Sequence, residues 1–179
     1  REAFDWEHGV FLGATMSSEQ TAAAFGAVGQ LRFDPFAMLP FCGYNMADYF
    51  QHWLDVGRRE GAKLPKVFYV NWFRKDEDGK FLWPGFGENS RVLEWVFRRC
   101  DGEGEVTETP IGLVPAPNDL DVEGLSISAE EVQALLAVDE EAVKAELPQV
   151  REHLEKFGDD LPAEIRSHLE RLEQKLGAA

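Results

Sequence analysis

Between residues 71 and 91 the chain reads NWFRKDEDGKFLWPGFGENSR, and no single helix or strand can run through it. Asp78-Gly79 predicts a tight turn, because glycine accepts the positive φ that such turns need. Pro84-Gly85 is a second break: proline has no backbone N–H, and glycine takes up conformations closed to other residues. The segment must therefore run out, turn back and stop. It nevertheless carries Trp72, Phe73, Phe81, Trp83 and Phe86 among charged and small residues. A turn needs no such set of rings. Either they plug a core from a loop, or they form walls for something flat.

The surrounding pattern predicts an α/β chain with a mixed sheet, flanking helices and a helical C-terminal third. HGVFLGATM (8–16) reads as a short buried strand, whose sheet neighbours would leave an exposed edge if missing. In SSEQTAAAFGAVGQ, Ser17 or Ser18 could cap a short helix broken at Gly26 and Gly29; the alternative is a mobile surface loop. Asp34-Pro35 and Leu39-Pro40 mark turns. MADYFQHWLDVGRR places Met46, Tyr49, Phe50, Trp53, Leu54 and Val56 at amphipathic helical spacing. KVFYVNW (66–72) is β-branched and aromatic, hence a strand, and KFLW returns from the turn. Asn89 or Ser90 is positioned to cap RVLEWVFRRC, with Val92, Leu93, Trp95, Val96 and Cys100 as its packing face. DGEGE is a turn and TPIGLVP (109–115) an extended piece. Ser128 with Glu131 forms a capping box. A further helix from about Asp139 meets Pro148, which should kink or split it. The last opens at Leu161-Pro162 and carries Ile165, Leu169, Leu172 and Leu176 on one stripe.

The bulk numbers exclude several classes. The chain has 179 residues, 44% of them hydrophobic, enough for one packed core. No apolar run approaches the roughly 20 residues of a membrane span, so the reading is a soluble protein without a membrane partner. Cys42 and Cys100 are unpaired in spacing, which disfavours a disulfide framework or a cysteine zinc site and fits a reducing, cytoplasmic compartment. A net charge of −15 disfavours nucleic acid. Residues 118–179 hold 16 acidic against 6 basic residues and read as a solvated helical surface. His8, His52, His153 and His168 lack the spacing of a zinc-protease helix. Neither a nucleophile elbow nor a phosphate-loop motif is present. No catalytic or metal-ligating constellation is legible, and the start REAFDW, without an initiator Met, reads as a piece of a longer polypeptide. What remains is the aromatic loop. A planar base stacks between rings, and an amide such as Asn89, near Gly85 and Gly87, could read its edge.

Four stretches carry a resemblance: FLGATMSSEQTAAA, FDPFAMLPFCGYN, PKVFYVNWFRKDEDGKFLWPGFGENSRVLEWVFRR and TPIGLVP. In that order and spacing they closely resemble the C-terminal part of bacterial-type GTP-dependent phosphoenolpyruvate carboxykinases, over nearly the whole chain. The family converts oxaloacetate and GTP to phosphoenolpyruvate, GDP and carbon dioxide in gluconeogenesis. The resemblance implies that Phe73 and Phe86 sandwich guanine and Phe81 lines the pocket. It also implies that Trp72 supports the pocket and that Asn89, with the Phe86-Gly87-Glu88-Asn89 turn, reads the base edge. It implies a mobile active-site lid over Glu19, Gln20, Thr21, Ala22, Ala23, Ala24, Phe25, Gly26, Ala27, Val28, Gly29 and Gln30. Ser17 stands where the family usually has an arginine and Phe33 where a histidine is common; both departures bear on the base of the lid. The implied division is a part of the nucleotide-binding lobe over 1–117 and an acidic helical segment over 118–179 packing on it. The implied Mn²⁺ (or Mg²⁺) ligands, phosphate loop, reactive cysteine and oxaloacetate-binding arginines all lie outside this chain. The chain alone is then expected to be inactive, and the whole enzyme a monomer. A stand-alone guanine-nucleotide-binding module without catalysis is the alternative.

Overall fold

A computed structural model describes residues 1–19, 31–76 and 78–178. In chain order the elements are α1 (Trp6–Ala14), β1 (Ser17–Glu19), β2 (Leu31–Phe33), α2 (Met46–Gly57), α3 (Asn89–Cys100), β3 (Val106–Thr109), β4 (Gly112–Pro115), α4 (Ala129–Leu136), α5 (Glu140–Glu155) and α6 (Ala163–Lys175). The class is α/β and helix-rich, and the strands form two antiparallel ribbons, β1–β2 and β3–β4. The chain divides into two compact units, residues 5–64 with 140–179 and residues 1–4 with 65–139.

The first unit is a helical core. The segment expected as a buried strand, residues 8–16, is instead mostly α1. Asp5 caps it, its Oδ1 accepting from the His8 backbone N–H at 2.7 Å, and His8, Gly9, Val10, Phe11, Leu12 and Ala14 are all buried. A helix buried on every side shows no periodicity, so an apolar run there reads equally as strand. No missing sheet partner is needed for it. α2 falls where expected and buries Met46, Ala47, Phe50 and Leu54. Met46, Phe50 and Leu54 pack with Val10 and Phe11 of α1, Leu147 and Leu154 of α5, and Ile165 and Leu169 of α6. Gly57 is required by this packing: a Cβ there would lie 2.4 Å from Cδ1 of Trp6. The indole of Trp6 is itself fixed by donating to the Trp53 carbonyl at 2.7 Å.

Two helix-boundary expectations change. α5 runs unbroken through Pro148, although proline removes the N–H owed to the preceding turn. Leu147 and Leu154, either side of it, are both core residues, so burial along the whole face outweighs the lost bond. Ser17 and Ser18 belong to β1 and cap no helix; the ribbon pairs Ser17 with Phe33 and Glu19 with Leu31. The breaks expected at Gly26 and Gly29 lie outside the described residues.

In the second unit the ribbon β3–β4 is extended by the chain start. Glu2 exchanges backbone bonds with Leu113 at 2.7 and 2.9 Å, and Ala3 donates to Val67 while Tyr69 donates to Arg1, both at 2.8 Å. KVFYVNW is therefore extended, but it forms one bridge at Phe68 rather than a strand. Its pairing partner is the remote chain start, a choice that local β-propensity does not register. The buried Glu2 carboxylate is held by Lys66 and Arg99, each at 2.7 Å. Trp83, Trp95 and Leu120 form the core, with Phe68, Trp72, Val92, Val96 and Leu135 packed against them. α4 has the expected capping box, and Arg74 donates to the Leu135 and Ala137 carbonyls at its end, at 2.9 and 2.7 Å.

Candidate functional site

The loop 71–91 is shaped by its own short-range hydrogen bonds. Asp76 Oδ1 accepts from the backbone N–H of Asp78 and Lys80 at 3.1 and 2.8 Å. Its own N–H donates to the Lys80 carbonyl at 2.9 Å, and Leu82 donates to Arg74 at 2.9 Å. Gly79 sits at φ 79°, as the Asp78-Gly79 turn requires. The out-and-back path is thus a hairpin closed by a bridge between Lys75 and Phe81.

This path sorts the five rings into two sets. Trp83 is buried in the unit core and Trp72 packs partly buried against it. Phe73, Phe81 and Phe86 are 73%, 51% and 99% exposed. Phe73 and Phe81 meet edge to face, 6.3 Å between centroids, with the Lys75 ammonium 5.1 Å from the Phe81 ring centre. Phe86 meets no other ring among the described residues. The loop is therefore rooted by its tryptophans and presents its phenylalanines to water. The plug reading holds for the two tryptophans, while the three phenylalanines stand exposed.

The backbone beyond the hairpin is unusual. Gly85 lies at φ 79°, ψ −171°, a region open essentially to glycine alone. Phe86 follows at φ 47°, left-handed for a bulky side chain. A 3₁₀ turn over Phe86–Glu88 then feeds α3, whose N-cap is Glu88. Neither Asn89 nor Ser90 caps this helix as expected, because both side chains are committed elsewhere. Asn89 Oδ1 accepts from the Trp83 indole N–H at 2.9 Å, and Ser90 Oγ donates to the Gly87 carbonyl at 2.8 Å. Arg91 braces the turn from behind, Nε donating to Glu88 at 2.6 Å and Nη1 to Asp121 at 2.8 Å. The hydrogen bond it donates to Glu88, with the charge of Asp121 adding, raises the guanidinium pKa above its ordinary value against the opposing effect of burial.

The structure thus brings Phe73, Phe81, Phe86, Gly87, Glu88 and Asn89 onto one hairpin-and-turn segment, with Trp72 beneath it. The packing face foreseen on α3 holds for Val92, Trp95 and Val96, whereas Leu93 and Cys100 are exposed, because α3 turns only one side to the core. Sequence reasoning missed the Arg91 brace and the Trp83–Asn89 bond. The available signal for the second was a donor-only indole and an amide separated by a Pro-Gly break.

Of the lid residues, Gln20–Gln30 lie outside the described residues. Glu19 closes β1 opposite Leu31. Phe33, at the other end of that ribbon, stacks on His153 at 4.3 Å and 9°, and His153 Nε2 lies 3.0 Å from the Ala14 carbonyl. Burial lowers the His153 pKa, so the neutral ring, with its proton on Nε2, donates that bond. No group of three or more His, Cys, Asp or Glu side chains among the described residues is arranged to hold a metal ion. No helix among them is long and apolar enough to cross a membrane.

The model of the phosphoenolpyruvate carboxykinase C-terminal P-loop domain family matches residues 1–175. Relatives named phosphoenolpyruvate carboxykinase [GTP] include proteins of Chlamydia muridarum, 54% identical over 176 residues and 98% of this chain, and of Chlamydia felis, 55% identical over the same share. The protein of that name from Neocallimastix frontalis is 54% identical over 97% of the chain. The chain spans 29% of the length of each. With a family model covering almost all of its residues, this chain belongs to the phosphoenolpyruvate carboxykinase C-terminal P-loop domain family.

Proposed function

We propose that this chain is the C-terminal, guanine-binding portion of a GTP-dependent phosphoenolpyruvate carboxykinase. The parent enzyme would turn oxaloacetate and GTP into phosphoenolpyruvate, GDP and carbon dioxide in the cytoplasm. The observation that carries the reading is the division of the rings. Phe73, Phe81 and Phe86 stand in water on a loop whose tryptophans already anchor it. Rings that only staple a loop would be buried. Stacking a base on such rings contributes on the order of 1–3 kcal/mol each. Selection then needs hydrogen bonds at the base edge, which Asn89 and the backbone of the Phe86–Asn89 turn supply. Gly85 and Gly87 keep that approach open, since nothing lies within 4 Å of a Cβ built at either.

Lid closure over residues 19–30 and metal-assisted phosphoryl transfer belong to the same proposal. Manganese or magnesium would supply charge neutralisation at the phosphates. The ion's ligands would come from the remainder of the enzyme, and the parent would act as a monomer. A base-binding module without catalysis is disfavoured, because identity to the named enzymes continues over 98% of the chain rather than stopping at the loop.

A tryptophan-fluorescence titration with GDP, and ADP as control, tests the reading, since Trp72 and Trp83 adjoin the rings. Without phosphate contacts, binding to the 179-residue chain is expected at about millimolar Kd. A response to GDP and not to ADP, lost in Phe86→Ala, supports a guanine pocket. Equal responses to both nucleotides would refute it.

A further inference from the structure

We propose that Trp83 is a positioning residue that fixes which end of the Asn89 amide faces a bound base, and thereby sets the sign of base selection. The inference rests on the guanine-pocket reading and goes beyond it. An asparagine amide presents an oxygen acceptor or an NH₂ donor depending on a half-turn about one bond. The two ends are nearly equal in size, so shape alone cannot choose between them. An indole N–H can only donate. The Trp83 Nε1–H donates to Asn89 Oδ1 at 2.9 Å, so the oxygen is committed and Nδ2 is the end left over. Nδ2 makes no other hydrogen bond among the described residues.

The donor is well placed to hold this choice. Trp83 is 4% exposed and sits in the core cluster with Trp95 and Leu120, so the indole cannot swing away without opening the core. Asn89 is anchored as the first residue of α3, at φ −60°, ψ −25°. A pre-oriented donor meets a base whose edge carries a carbonyl oxygen, as guanine does at O6. Against adenine it would oppose the exocyclic N6 amine, donor to donor. Because an unmet buried donor is costly, orienting the amide in advance converts a weak contact into discrimination.

The test compares Trp83→Phe with the unmodified protein in the longest polypeptide that carries this chain, reading Kd for GDP and ADP by calorimetry. Phenylalanine keeps a ring in the core and removes the donor, so the amide can turn either way. The GDP-over-ADP preference is expected to fall at least tenfold. A purely packing role would weaken both nucleotides in parallel, and an unchanged ratio overturns the assignment. Should Trp83→Phe fail to fold, Asn89→Asp serves. It keeps an acceptor for the indole but has no donor for O6, and the preference should move towards ADP; retained guanine preference overturns the proposal. In the unmodified protein the Trp83 indole proton should exchange slowly with solvent, and exchange at the free-indole rate also overturns it. Phe86→Ala, run in parallel, separates the two levels. If it leaves GDP binding unchanged, the pocket reading falls and the Trp83 role with it. If it weakens GDP while Trp83→Phe leaves the ratio intact, only the Trp83 role falls.

Discussion

Phe86→Ala is the substitution on which the division of the rings stands or falls. The side chain is 99% exposed, so truncation removes almost no buried apolar area, and the stability change should stay within about 0.5 kcal/mol. The backbone supports the same expectation from another direction. Phe86 is held at φ 47°, which costs a non-glycine residue roughly 1–2 kcal/mol. Phe86→Gly should relieve that cost, offset by about 0.5–1 kcal/mol of extra chain entropy in the unfolded state. The net effect is neutral to slightly stabilising. A ring that gives nothing to folding is kept for something else. If that is one face of a base, Phe86→Ala should weaken GDP binding by about 1–3 kcal/mol, or roughly 5- to 150-fold in Kd. The comparison is Trp83→Ala, a buried ring on the same loop, which should cost about 3–5 kcal/mol of stability. Urea denaturation and calorimetric titration of the same preparations supply both readouts. A Phe86→Ala protein destabilised by more than about 1 kcal/mol would show that the ring packs, and the reasoning would be refuted.

Other consequences are equally direct. Glu2→Gln leaves Lys66 and Arg99 facing a neutral amide and should destabilise the protein by about 3 kcal/mol in denaturant titration. Burial works against the Glu2 charge, but Arg99 and Lys66 outweigh it and hold the carboxyl below its usual 4.5. Its contribution is therefore present above that value and lost as pH falls through the lower folded-state pKa, and Glu2→Gln should flatten the acid limb of a melting-temperature profile. The pKa values of His153 and His168 are also lowered, here by burial, with Lys156 and Arg171 adding to it. The unfolded chain then binds more protons, so stability should decline as pH falls below about 6.5, and less steeply in His168→Asn. Gly57→Ala would drive a Cβ to 2.4 Å from Trp6 and should cost about 1–3 kcal/mol by thermal denaturation.

Features set by near neighbours were open to sequence reasoning. The Asp78-Gly79 turn, the Ser128–Glu131 capping box, and the apolar stripes of α2 and α6 each depend on residues a few positions apart. Chemistry and spacing suffice for these. The motif-rich stretches around residues 71–91 also announced the family, because an unusual run of rings, glycines and an amide is a specific string. Where the whole of a segment is apolar, as in residues 8–14, the pattern has no polar face to phase it, and helix and strand look alike. Pro148 illustrates the converse: a strong local breaker inside α5, overruled by burial on both sides.

The sequence by itself determined that loop 71–91 must turn twice, that it carries more rings than a turn needs, and that the chain resembles a guanine-nucleotide enzyme. Tertiary structure decided which rings are rooted in the core and which stand exposed. Trp72, Phe73, Phe81, Trp83 and Phe86 are all large aromatic side chains. Their fates diverge because Trp95 and Leu120, supplied by later segments, form with Phe68 a core that can receive two tryptophans. The same remote packing pins the Trp83 indole, and the indole holds the Asn89 amide by its oxygen. A donor's direction in space depends on everything that holds the donor, and no window of neighbouring residues contains that information.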